Sequence, residues 1–152
     1  MPTLRALTIR ERLRVYLVDT NVISEARKRQ RANKGVLAFF RQAVKSEVGL
    51  FLSVVTVGEL RRGVELVRHR GDERQAATLE AWLGTVLNEF AESILPVDQD
   101  VGQLWGRLRV PHPENALDKL IAATALIHDL TVVTRNVDDF AGLSVRVLNP
   151  FE

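Results

Sequence analysis

Four places along the chain set a carboxylate where an apolar, strand-like run gives way to polar residues. Asp19 ends the apolar run of VYLVDTNVISE (Val15–Glu25), Glu59 sits in SVVTVGELRRG, Asp118 opens DKLIAATALIHD, and Asp138 and Asp139 follow TVVT in RNVDDF. In an open parallel sheet, ligands bind beyond the carboxyl ends of the strands, so these widely separated groups are expected to converge on one rim. Each also has a local reading. Thr56-x-x-Glu59 matches a capping box, Asn115-x-x-Asp118 resembles one, and Asp138 or Asp139 suits the cap of a short turn. A shared rim is harder to explain that way, because crowded carboxylates raise one another's pKa unless a cation neutralises them. The chain has no cysteine, and its three histidines, His69, His112 and His128, are scattered. The donor set is therefore all oxygen and favours Mg²⁺ or Mn²⁺ over zinc. Such ions accept phosphate oxygens and activate a water for in-line displacement, so phosphodiester hydrolysis is the expected chemistry.

A strand must end at Asp19, Glu59 lies one helical turn beyond a second strand, and Asp118 opens a helix. Short runs rich in β-branched residues recur at Val15–Val18, Leu50–Val54, Ile94–Val97, Thr131–Val133 and Val145–Leu148. Helical stripes lie between them: Val36, Leu37, Phe40 and Val44; Leu79, Trp82, Leu83, Val86, Leu87 and Phe90; Val101, Leu104, Trp105 and Leu108. Strand alternating with helix predicts an α/β fold, a three-layer sandwich in which helices cover both faces of a parallel sheet of five strands. Both tryptophans fall within apolar stripes and are expected to pack in the core, and PHPEN (Pro111–Asn115) reads as a loop.

Composition bounds the rest. A chain of 152 residues that is 46% hydrophobic suits a single domain, here residues 15–152. The basic stretch 1–14 reads as an N-terminal extension, without the apolar stretch of about 7–15 residues that a secretory leader needs. No apolar run approaches the roughly 20 residues that span a bilayer, and the lack of cysteine fits a reducing cytoplasm, so a soluble cytoplasmic protein is expected. Charge divides unevenly: residues 1–70 carry 15 Lys/Arg against 6 Asp/Glu, and residues 71–152 carry 6 against 13. Arginine is 17 of the 21 cations, and its planar fork suits phosphate, which makes the Arg27–Lys34 segment and the Arg61–Arg70 series candidate phosphate contacts. Arg27, Arg29, Arg61 and Arg62 are the residues singled out.

At these same residues the sequence resembles the PIN-domain family, in particular the VapC-type toxin ribonucleases of bacterial toxin–antitoxin pairs, near their FitB-like branch. The matching stretches are VDTNVISE (Val18–Glu25), SVVTVGELRRGVE (Ser53–Glu65), ILPVD (Ile94–Asp98), ALDKLIAATALIHDLTVVTRNVDDF (Ala116–Phe140) and VLNPF (Val147–Phe151). The resemblance implies a five-stranded parallel sheet in the order 3-2-1-4-5 and a Mg²⁺- or Mn²⁺-dependent endoribonuclease that leaves 5′-phosphates. Asp19, Glu59 and Asp118 match the three acidic metal positions. Where the family often has a fourth aspartate this chain has Asn136, a neutral oxygen ligand, and Asp139 is expected to supply the missing charge while Asp138 points elsewhere. Asn136 and Asp139 would reach the site mainly through water, and Thr20 and Thr134 would orient carboxylates and water. The family also implies a homodimer and a cognate antitoxin of the VapB or FitA type, whose C-terminal segment lies across the active site and whose N-terminal half binds operator DNA. DNA would then be met only through the antitoxin. The competing readings are a catalytically weak PIN-like binding module, with Asn136 as the lesion, and a PIN nuclease of RNA maturation.

Overall fold

The structure, a computed structural model, describes residues 15–151; the expected extension over residues 1–14 lies outside the described residues. Strand β1 (Tyr16–Val18) is central, flanked by β2 (Leu50–Ser53) and β4 (Thr131–Val133), with β3 (Ile94–Leu95) and β5 (Val147–Leu148) at the edges. Every pairing is parallel, and the order is β3-β2-β1-β4-β5, as the resemblance implies. Because side chains alternate across a strand, each central strand feeds two cores. Val18, Leu52 and Val133 face one, and Leu17, Phe51 and Val132 face the other.

The first core is covered by helices α1 (Thr20–Ala26), α2 (Lys34–Lys45), α3 (Val54–His69) and α4 (Glu73–Glu89), through Val22, Val36, Leu60 and Leu83. The second is covered by α6 (Ala116–His128), whose Ile121, Ala122 and Ala125 are buried, with α5 (Gln99–Leu108) lying against α6. Two 3-10 turns, Arg29–Arg31 and Val137–Phe140, complete the elements. No helix among the described residues is long and apolar enough to cross a membrane.

Three details depart from the sequence pattern. Strand β3 stops at Leu95 because Pro96 has no N–H to give the ladder. On α2, Val36 and Ala43 are buried while Val44 is 79% exposed. Val44 lies eight residues after Val36, which at 3.6 residues per turn carries it off the buried stripe. Third, neither capping box forms. Helix α3 starts directly after β2, so Ser53 is its cap, accepting from the Val55 N–H at 3.0 Å, and Thr56 is left fully buried inside the helix. Asn115 adopts a left-handed conformation (φ 54°, ψ 45°), and its side chain caps nothing.

The turn between α3 and α4 needs a glycine. Gly71 has φ +87°, and no atom stands near where a Cβ would go, so substitution meets only the backbone preference. Gly71→Ala is expected to cost roughly 1–2 kcal/mol, read as a lower urea midpoint with an unchanged slope.

Candidate active site

Loss of the two capping boxes frees the very residues they would have occupied. The carboxylates of Glu59 and Asp118 have no hydrogen-bond or ion-pair partner among the described residues, and both side chains line one pocket of about 280 Å³ at the carboxyl edge of the sheet. Asp19, Thr20, Asn21 and Asn136 complete its polar lining, and Val55, Leu117 and Ile121 form an apolar wall.

Asp19 is the fixed member. Its backbone N–H continues the ladder to the Val133 carbonyl at 2.9 Å, and its side chain caps α1, accepting from the Thr20 N–H at 2.8 Å. The other carboxylate oxygen accepts from the Thr134 hydroxyl at 2.8 Å and from the Asn21 amide at 3.4 Å. The Thr134 hydroxyl in turn accepts from the Asn21 amide at 3.2 Å and from the Asn136 N–H at 3.1 Å. Thr134 thus does orient a carboxylate, whereas Thr20 acts through its backbone N–H. Asn21 carries no mark in the sequence beyond its place in VDTN, yet its Oδ1 also accepts the Arg135 N–H at 3.0 Å, tying the ends of β1 and β4 together.

Asp118 is placed by its helix. The first turn of α6 is held from one side by Trp105, whose indole N–H donates to the Ala116 carbonyl at 2.8 Å, and from the other by Lys119, buried and bonded to the His112 carbonyl. Trp105 is therefore a half-buried bracket for the site rather than deep core. Asp118 is half-buried, and its carboxyl is pushed up to about 6, first by burial and then by the negative charges of Asp19, Asp139 and Glu59. Asp139 thus belongs to the same electrostatic group without lining the pocket, and Asp138 is exposed on the preceding position of the 3-10 turn.

This donor set fits a hard divalent cation: oxygen ligands only, several negative charges that repel one another, and two carboxylates with no structural work. Among the described residues no three Asp, Glu or His side chains already stand close enough to ligate one ion. A hard cation here would take these carboxylate oxygens together with waters, which such ions usually keep.

The expected RNA contacts fare differently. Arg61 donates to both Glu80 oxygens at 2.8 and 2.7 Å and to Glu65 at 3.0 Å, and Arg68 shares the same two acids. The arginines pull the Glu80 carboxyl down to about 2. Arg61 therefore clamps α3 to α4. Arg27 and Arg29 border a separate apolar groove of about 520 Å³ walled by Phe40, Val44 and Trp82. That groove is larger than the carboxylate pocket, and Glu89 is its one acidic lining residue. Arg62 is exposed, and none of Arg27, Arg29, Arg61 and Arg62 lines the carboxylate pocket.

A parallel sheet in this order, with Asp19 at the end of β1, Glu59 in α3 and Asp118 in the first turn of α6 lining one pocket, defines a class: the chain belongs to the PIN-domain family, whose pattern matches residues 16–144. It is 37% identical over 142 residues to Toxin FitB of Neisseria gonorrhoeae, covering 90% of this chain and 99% of that protein. It is 32% identical over 144 residues to VapC ribonuclease Y4jK of Sinorhizobium fredii, covering 91% and 99%. Among solved structures, FitAB bound to the IR36 DNA fragment superposes with a TM-score of 0.78 at 34% identity, over 91% of this chain and 96% of that one.

Proposed function

We propose that this chain is an endoribonuclease toxin of a toxin–antitoxin pair, hydrolysing RNA phosphodiester bonds with Mg²⁺ or Mn²⁺. The observation that carries the reading is the convergence of Asp19, Glu59 and Asp118, from three distant segments, on one pocket where two of them have no structural role. The names of two relatives support it, one a toxin and the other a ribonuclease.

Asp19, Glu59 and Asp118 would hold the cation, with the Asn136 amide oxygen as a neutral partner. A bound Mg²⁺ or Mn²⁺ supplies positive charge that lowers the pKa of a water and stabilises the oxygens of an in-line displacement. The chain's own residues do the rest. Thr134 and the Thr20 N–H keep both oxygens of Asp19 in place. Asp118, whose carboxyl sits at about 6, is mostly ionised at neutral pH and would offer its charge to the cation. Asp139 adds charge from the second row in place of an aspartate at 136. Val55, Leu117 and Ile121 give one side of the pocket an apolar wall.

The partners follow from the relatives. FitAB has been solved on DNA, which supports a second, antitoxin chain of the VapB or FitA type for this protein, with DNA contacted through that chain. A homodimer and a cytoplasmic location accompany the reading.

The test is cleavage of total RNA by purified, antitoxin-free protein with Mg²⁺, Mn²⁺ or EDTA, with fragment ends mapped. Discrete cuts bearing 5′-phosphates with either metal, and none in EDTA, are expected. Intact RNA with metal-loaded protein would sink the nuclease and favour a binding module.

A further inference from the structure

The stretch Asn149-Pro150-Phe151 has no part in the carboxylate pocket, yet it touches Arg135, the neighbour in sequence of the pocket-lining Asn136. Phe151 packs half-buried against the core beneath α1 to α4, and the guanidinium of Arg135 lies over its ring, 4.8 Å from the centroid. The backbone of Arg135 is held as firmly. Its N–H donates to Asn21, and the residues on either side, Thr134 and Asn136, are joined to each other by the bond from the Asn136 N–H to the Thr134 hydroxyl. Arg135 thus stands between two residues of the site, fixed at the backbone by a pocket-lining side chain and at the guanidinium by a ring rooted in the core.

A stacked guanidinium is covered on its face, while its N–H donors point outward in the plane of the group. Those edges are what bind a phosphate bidentately. Arg135 is exposed and forms no ion pair among the described residues. Glu25 feels its charge, but that carboxylate already accepts from Lys28 and from the Asn33 N–H, each at 2.9 Å. Ordering a free arginine on a ligand costs side-chain entropy, and the stack on Phe151 has met much of that cost in advance. An acidic pocket also needs a cation at its mouth if a polyanion is to approach.

We propose that Arg135 grips an RNA backbone phosphate at the rim of the carboxylate pocket, with Phe151 and Asn21 as the positioning residues that present it. The proposal rests on the ribonuclease reading. It is tested by titrating a labelled single-stranded RNA oligomer across a salt series, using Asp118→Asn protein with Mg²⁺ so that bound RNA stays intact. Arg135→Ala is expected to weaken binding roughly tenfold and to lower the slope of log K against log salt by about 0.7, the signature of one lost single-strand phosphate contact. Arg135→Lys should keep the slope and bind more weakly, because the charge stays while the fork and the stack go. Phe151→Leu should do the same, since leucine retains the core contact without the ring. A salt slope unchanged in Arg135→Ala overturns the proposal, as does wild-type affinity in Phe151→Leu. Wild-type cleavage with Mg²⁺ is scored alongside: its absence strikes the nuclease reading, while the salt slopes still decide whether Arg135 contacts RNA.

Discussion

Replacing Asp118 by asparagine is expected to abolish metal-dependent cleavage while leaving the metal-free protein folded and more stable than wild type. The side chain has no hydrogen-bond partner to lose among the described residues, and asparagine preserves its shape. What disappears is one negative charge that burial and the charges of Asp19, Asp139 and Glu59 all disfavour. Relief of that repulsion would stabilise the fold, and the same deletion would remove a ligand of the proposed cation. The loss of activity should exceed the 10–100-fold typical of removing an outer partner of a metal ligand. Measuring cleavage and urea denaturation on the same preparation separates the roles. A destabilisation of several kcal/mol would make Asp118 structural. Asp19→Asn is a poorer probe, because Asp19 accepts from the Thr20 N–H, the Thr134 hydroxyl and the Asn21 amide. An amide there must set its own NH₂ against one of those donors, a mismatch that costs about 1–3 kcal/mol whatever the metal does.

How far the sequence reveals this site depends on the range of each interaction. The ends of β1, β2 and β4 are legible because a buried parallel strand is a short apolar run, and its carboxyl end is where ligands collect. Asp19, Glu59 and Asp118 could be placed on one rim without knowing any contact. The two expected capping boxes were the locally plausible alternatives, and both fail for geometric reasons: α3 begins one residue after β2, so Ser53 takes the cap, and Asn115 turns left-handed. The cationic run Arg61–Arg70 looks available to phosphate because Glu80, which engages Arg61 and Arg68, lies on the next helix. Asn21 is hidden for the same reason on a longer scale. Its partner Thr134 is 113 residues away, and nothing near either residue announces the bond. Charge type and periodicity are local and can be read; which cation meets which anion is settled by the packing of helices.

The second large effect is on stability against pH and metal. The folded Asp118 carboxyl sits at about 6, above its ordinary value of 3.8, so the folded state binds the proton more tightly than the unfolded chain does. Its contribution is then fully favourable below pH 3.8 and is lost as pH rises through about 6. A shift of this size corresponds to at most about 3 kcal/mol, and solvent at the pocket mouth reduces it to the order of 1–3 kcal/mol. Other carboxylates act in the opposite sense: Glu80, held down at about 2 by its arginines, favours the fold at higher pH. The difference between wild type and Asp118→Asn cancels those common contributions. In EDTA, the variant's advantage in urea should be small near pH 4 and grow to its full value above pH 7. Mg²⁺ at neutral pH and about 1,000 times its Kd should then reverse the ranking, because a cation bound only by the folded wild-type site stabilises it by about 4.1 kcal/mol at that concentration. An advantage independent of pH would remove the clustered carboxylates as its cause. Equal stabilisation of both proteins by Mg²⁺ would place the cation away from Asp118.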